Sequence, residues 1–464
     1  MKITIIGGAG IRTVNFINGL LDRCQKLSIT EVVLYDIDKE KLLVIEALCQ
    51  YIAERSGTNL HIWGESDLEC ALRGASYVVT TLRVGGDHAR VMDERVALTC
   101  GVIGQETTGA GGFSMAIRTI PVLLKYCEII RRIVPDAWIF NFTNPSGLVT
   151  QALYDAGYRR IIGICDAPDS THRRMADSLG VSPDRLHTEF FGLNHLSFIR
   201  SVKVDGEELL PRLLEDIDFL KSVQEFSRID PAVMRLTGCL PNEYLYYYYH
   251  REKALENILA APQTRGESIE ALNRDMFREL AQMDIRRMPE EALQTFLYYI
   301  YCREFSYMQI ETGDHQSREI QKGCLKVPSG MGYAGIMLDC IEGLQSNTGK
   351  DLVLCVPNQG AIAGFADDDI VEISCHVSAS GGIRPICVAD MPEHCMMLMK
   401  AVKRYEKQTV RAVRTGSRAA ALDALCLHPL VMSWSLGEKL LRQYEAAYGD
   451  SFLQKTDLCG TDSF

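Results

Sequence analysis

Cys165 closes the apolar run RRIIGICD with Asp166 beside it, and His195 stands in FFGLNHLSF, bounded by apolar residues. A thiolate with an imidazole suits a divalent transition metal such as Mn, Co, Ni or Fe, with substrate oxygens completing the shell. The same pair also reads as a core cysteine and a hydrogen-bonded buried histidine, and spacing alone favours that reading. Asn144, in NFTNPSG, follows a buried strand and precedes Pro145, which turns the chain off the sheet. A polar side chain there either points into a ligand crevice or closes an Asx turn. The run PNEYLYYYYHREK carries five tyrosines in six positions. A tyrosine base must lower its pKa from about 10, which requires a nearby cation. One tyrosine could do so, and the others read as packing residues.

A fourth candidate opens the chain. In MKITIIGGAGIRT, Gly7, Gly8 and Gly10 follow a β-branched strand and open a helix, and Asp36 ends the next strand, EVVLYDID. Thr13 stands where a full GxGxxG would have its last glycine. Glycines let a backbone approach a pyrophosphate, the helix N-terminus supplies free N–H groups, and Asp36 can accept from ribose hydroxyls. A carboxylate there repels a 2′-phosphate, so NAD is favoured over NADP. The competing reading is a tight turn in an α/β protein that binds no nucleotide.

Those residues need a sheet to position them. Strands at 2–6, 31–38, 75–82, 137–145 and up to 166 alternate with helical patterns at 11–23 and about 112–133. The alternation predicts an α/β fold with an N-terminal Rossmann-like, doubly wound, mainly parallel sheet. After about residue 196 the texture changes. Residues 208–310 are mostly helical in pattern, 327–390 contain the strand-like runs DLVLCVP, DIVEISCHV and IRPICVA, and 391–450 return to helix. The expectation is a nucleotide-binding domain over 1–195 and an α+β substrate domain over 196–464, resting on the sheet's carboxyl edge.

Composition excludes several classes. At 464 residues, 47% hydrophobic and 23% charged, the chain is globular rather than disordered. A formal charge of -11 with no concentrated basic face argues against a nucleic-acid partner. No apolar run has the roughly eighteen residues of a membrane span, and the first breaks into glycines too early for a signal peptide, so the expected location is cytoplasmic. The sixteen cysteines lack CxxC pairs and read as small core residues in a reducing compartment.

Taken together, RVGG at 83–86, GVIGQETTGAGGF at 101–113 with RTIP following, NFTNPSG at 141–147, CDAP at 165–168, GLNHL at 192–196, LPNEYL at 240–245, TRGE at 264–267 and VPNQGAI at 356–362 resemble glycoside hydrolase family 4, in order and over almost the whole chain. The wording is most similar to the 6-phospho-β-glucosidase branch. The resemblance implies a lactate/malate dehydrogenase-like nucleotide half, NAD and a divalent metal, commonly Mn, as cofactors, and a phosphorylated disaccharide or glycoside as substrate. It also implies a homo-oligomer, dimer or tetramer. By residue, it implies Cys165 and His195 as metal ligands, Tyr244 as base, Asp166 as acid, and Arg90, Asn144 and Arg265 as contacts to the phosphosugar. The glycine-rich runs at 83–86 and 104–112 would wrap the nicotinamide end and the sugar. The implied chemistry is hydride removal from sugar C3, proton removal from C2, and elimination of the aglycone. Asp166 departs from the β branch, which has Asn there, and matches the 6-phospho-α-glucosidase branch, leaving that as an alternative. An NAD-dependent 2-hydroxy-acid dehydrogenase is a further alternative on the nucleotide half.

Overall fold

The computed structural model describes residues 1–314, 318–328, 332–449 and 452–454. The expected helical stretch 391–450 therefore ends one residue outside the described set, and 329–331 of the stretch 327–390 also lie outside it. Among the described residues nine strands form the main sheet: β1 (Lys2–Ile6), β2 (Glu31–Tyr35), β3 (His61–Glu65), β4 (Ala75–Thr80), β5 (Trp138–Asn141) and β6 (Ile161–Gly163), then β11 (Lys350–Pro357), β12 (Ile370–Ser378) and β13 (Gly382–Pro385). The first six are parallel neighbours in the order 3-2-1-4-5-6, the arrangement of dinucleotide-binding folds. All five residues of β1 are buried, as a central strand covered by helices on both faces must be.

The strand-like runs of the second half are strands, and they extend this same sheet. β11 pairs antiparallel with β6 through Cys355 and Gly163, and β12 and β13 continue outward. Gly163 is needed there because a Cβ would come within 2.8 Å of Cys355 Cβ and 2.6 Å of Thr150 Oγ1. The second half thus places side chains directly beside the carboxyl ends of β5 and β6. A smaller antiparallel sheet, of β7 (Leu186–Leu193), β8 (Leu196–Val204), β9 (Glu207–Glu208) and β10 (Leu240–Pro241), lies over β12. Ser374 Oγ of β12 accepts from Phe190 N at 2.9 Å, tying the two sheets together.

The helix expected from about Gly112 runs over Gly109–Ile133, and that expected at 11–23 runs over Thr13–Leu21. The stretch 208–310 consists of short helices followed by the longer Arg265–Leu280 and Pro289–Phe305. Among the described residues no helix is long and apolar enough to cross a membrane.

Candidate functional site

A cavity of about 1530 Å³ runs along the carboxyl edge of the parallel strands. At one end the chain turns sharply after β1. Gly7 has φ +94°, and a Cβ there would sit 2.6 Å from Thr81 O, so glycine is required. Asp36 caps this end: Oδ2 accepts from Ala9 N and Oδ1 from Asp38 N, both at 3.0 Å. Gly7, Gly10 and Asp36 line the cavity, whereas Gly8 faces away, its missing Cβ making room for Leu34 Cβ 2.8 Å off. In the first helical turn, Thr13 Oγ1 and Asn15 Oδ1 are buried with no hydrogen-bond partner among the described residues, and both residues line the cavity. A glycine turn, a helix N-terminus, two orphaned polar oxygens and a terminal carboxylate fit a dinucleotide.

The other end gathers the remaining candidates. Asp166, at the start of the helix Ala167–Leu179, pairs with Arg12 at 3.3 Å. Cys165, 6% exposed, sits just behind the cavity wall, and burial followed by the charges of Glu372 and Asp166 pushes its thiol well up. His195 follows Asn194 in the β7–β8 turn at φ 62°. It is 5% exposed, and burial pushes it down to about 4, against the opposing pull of Asp166 and Glu106. Its ring therefore stays neutral at physiological pH, as a metal ligand must. Nδ1 lies 2.7 Å from Thr107 Oγ1, and Nε2 has no hydrogen-bond partner among the described residues. Among those residues no group of three His, Cys, Asp or Glu side chains gathers at metal-binding distance. One sulfur and one nitrogen, from Cys165 and His195, would suit a transition metal whose shell is completed by substrate oxygens.

Tyr244 stacks on His195 with ring centroids 3.8 Å apart and planes 9° off parallel. The LPNEYL segment explains that position. Asn242 N donates to Ser197 O at 2.8 Å, anchoring the segment to β8, while Asn242 Oδ1 caps Tyr244 N at 3.0 Å. Burial, then Glu243, pushes the Tyr244 phenol up, and Tyr307 hydrogen-bonds to it. Of the tyrosine run, Tyr246 is buried away from the cavity and packs the core, whereas Tyr247, also buried, lines the cavity beside Tyr244.

Asn144 lines the cavity, and its Oδ1 also accepts from Ser146 N at 3.3 Å, so the crevice and Asx-turn readings both hold. The Asn144–Pro145 peptide is cis. Arg90 is 6% exposed and already ion-paired to Glu94 at 2.9 Å and Glu106 at 3.2 Å; Arg83 also meets Glu106, at 2.6 Å. Arg265 lines the cavity and donates to Arg303 O at 2.6 Å. Arg303 was not singled out in the sequence. Burial and the charges of Arg12 and Arg90 push it down to about 9, and its guanidinium has no hydrogen-bond acceptor among the described residues. Arg12, Thr107, Tyr307 and Glu372 were likewise not assigned roles. Glu372 is a buried carboxylate on β12 that accepts from Asn194 Nδ2 at 2.9 Å and Ser197 Oγ at 2.7 Å, holding the turn that carries His195.

Within the run at 104–112, Gly104, Gln105, Glu106 and Thr107 line the cavity, while the space left by its glycines is filled by the chain itself. A Cβ on Gly104 would lie 2.6 Å from Glu94 Cα, on Gly111 2.4 Å from Gln105 O, and on Gly112 2.6 Å from Thr107 C. They let the loop fold tightly onto its own helix. The run at 83–86 also lines the cavity.

Comparison with known proteins accords with this geometry. The family model described as "Family 4 glycosyl hydrolase" matches residues 2–181, and "Family 4 glycosyl hydrolase C-terminal domain" matches 190–431. A relative from Bacillus subtilis (strain 168), described as "Probable 6-phospho-beta-glucosidase", is 30% identical over 98% of this chain and 99% of its own. The 6-phospho-beta glucosidase of Thermotoga maritima, solved with manganese, NAD+ and glucose-6-phosphate, matches at TM-score 0.81 and 27% identity over 98% of this chain and 100% of its own. A 6-phospho-alpha-glucosidase from gut microorganisms, in complex with NAD and Mn2+, matches at TM-score 0.79 and 25% identity, over 98% and 99%. A malate dehydrogenase from Plasmodium falciparum, at TM-score 0.50 and 13% identity over 89% of this chain and 98% of its own, shares the fold. With both halves of the cavity supplied by the two matched segments, the chain belongs to family 4 of the glycosyl hydrolases.

Proposed function

We propose that this chain hydrolyses 6-phospho-β-glucosides, using NAD and a divalent cation, with manganese the one found in the Thermotoga relative. The observation that carries the reading is one continuous cavity with Gly7, Gly10 and Asp36 at one end and His195, Tyr244, Asp166 and Arg265 at the other. When bound, NAD would accept and return a hydride and the cation would polarise sugar oxygens. The chain's own side chains account for the rest. Asp36 would accept from the ribose hydroxyls and exclude a 2′-phosphate. Cys165 Sγ and His195 Nε2 would hold the cation. The Tyr244 hydroxyl, fixed by stacking and by the Asn242 cap, would take the proton from sugar C2. Asp166 would protonate the leaving oxygen, oriented by Arg12. Asn144, Arg90 and Arg265 would contact the phosphosugar, and Arg303, a half-buried guanidinium on the cavity wall with no hydrogen-bond acceptor among the described residues, suits the phosphate itself.

A second reading, hydrolysis of 6-phospho-α-glucosides, is favoured by Asp166 directly after Cys165 and by the likeness to the 6-phospho-alpha-glucosidase. Division into a nucleotide half over 1–195 and a substrate half over 196–464, a homo-oligomeric state and a cytoplasmic location belong to the same reading. The spans of the two family models support the division. The test is a panel of α- and β-linked 6-phosphoglycosides, with and without NAD and Mn2+, under reducing conditions. The β-linked compounds should turn over only with both cofactors present. Turnover in their absence, or steady accumulation of NADH, would refute the proposal.

A further inference from the structure

The cavity carries a device that fixes which nitrogen of His195 is free. Gln105 Oε1 accepts three donors: Thr107 N at 2.7 Å, Thr108 N at 3.0 Å and the Thr107 hydroxyl at 2.7 Å. Two of the three are backbone N–H groups, which can only donate, so this atom is the amide oxygen and the Gln105 orientation is determined. The Thr107 hydroxyl has one proton, and Gln105 takes it. At the 2.7 Å contact between Thr107 Oγ1 and His195 Nδ1, Thr107 can therefore only accept, and Nδ1 must carry the hydrogen. A neutral imidazole has one N–H, so Nε2 is left with its lone pair bare. The loop is closely packed on itself: a Cβ on Gly111 would lie 2.4 Å from Gln105 O, and one on Gly112 2.6 Å from Thr107 C. Behind it, His428 Nε2 accepts from Gly109 N at 3.1 Å, pinning the start of the helix Gly109–Ile133.

We infer that Gln105 and Thr107 are positioning residues that lock His195 in its Nδ1–H tautomer and so present Nε2 as a ready ligand. This rests on the reading of Cys165 and His195 as the cation's holders. It gives GQETTGAGG a purpose besides lining the cavity: the glycines compact the loop, and the compact loop dictates a proton position. Orienting hydrogen bonds of this kind typically change metal affinity by about 10- to 100-fold when removed.

The test uses the full chain labelled with ¹⁵N-histidine, the His195 ring signals being assigned by difference from His195→Gln. The wild type should show a pyrrole-type Nδ1 and a pyridine-type Nε2. Thr107→Val, which keeps the shape and loses the acceptor, should give a mixed tautomer and weaken Mn2+ binding, followed by electron paramagnetic resonance, by about 10- to 100-fold. Gln105→Ala should do the same. Thr107→Ser should restore both properties. The circular dichroism spectrum and the thermal unfolding midpoint should stay close to wild type in all three, reporting an intact fold. A wild-type ring protonated at Nε2, or Thr107→Val with unchanged tautomer and Mn2+ affinity within twofold, would overturn the inference. If instead His195→Gln leaves Mn2+ affinity unchanged, the metal reading fails, while the tautomer measurement still decides the relay.

Discussion

His428 should make the protein acid-sensitive in a window set by its burial. The side chain is fully buried, Nε2 lies 3.1 Å from Gly109 N and Nδ1 3.1 Å from Leu430 N, of which a neutral ring can accept from one, and burial pushes it down to about 3. A neutral ring can offer one bare nitrogen and an imidazolium none, so protonation strips acceptance from the loop. The folded pKa is depressed, so the unfolded chain takes up the proton first. Nothing is lost above pH 6.5, where the ring is neutral in both states, and stability falls as pH drops below it. Between pH 7.5 and 5.0 the unfolded histidine, at about 6.5, gains about 1.5 pH units of protonation free energy, or about 2 kcal/mol. His195, pushed down to about 4, contributes a similar loss over the same interval. Urea unfolding at the two pH values, for wild type and His428→Gln, isolates the term. The variant should be less stable at pH 7.5 but lose about 2 kcal/mol less on acidification. Parallel pH dependence within about 0.5 kcal/mol would show that His428 titrates normally, refuting the burial argument.

Three further outcomes follow from the site. Tyr244→Phe should keep the ring stacked on His195 and the fold intact while lowering kcat by roughly 10²- to 10⁴-fold, the range of a lost acid–base group; steady-state kinetics checks it. Asp36→Asn should weaken NAD by about 1.5–3 kcal/mol, the worth of a hydrogen bond to a charged group, and narrow the preference over NADP, as read by calorimetry with both nucleotides. Gly7→Ala should destabilise the chain by about 2–5 kcal/mol, combining the left-handed conformation with a Cβ 2.6 Å from Thr81 O; thermal unfolding would detect it.

The nucleotide half is legible in the sequence because its signals are local. The β1–turn–helix unit and Asp36 lie within 36 residues, and burial on both faces demands the unbroken KITII and EVVLY runs. The strands DLVLCVP and DIVEISCHV are equally plain as strands, but their addition to the first sheet depends on partners such as Gly163 and Cys355, nearly 200 residues apart, and no local pattern encodes that pairing. Arg12 reads as a helix-start residue; its direction is set by Asp166 and by the Tyr333 ring, 4.9 Å from its guanidinium. TRGE carried a readable signal that went unused: Thr264 and Glu267 form a capping box, which places Arg265 at the first turn of its helix. For GQETTGAGG, spacing gives where side chains are absent, while packing shows that the chain itself fills the space left by Gly104, Gly111 and Gly112.

The central claim is that Tyr244 removes a proton from sugar C2 in a cavity shared by NAD and a cation held by Cys165 and His195. Proton NMR of a 6-phospho-β-glucoside turned over in deuterated water tests this directly. The account predicts deuterium at C2 of the released glucose 6-phosphate, dependent on NAD and Mn2+ and abolished in Tyr244→Phe. Product that retains its C2 proton at full turnover would contradict it.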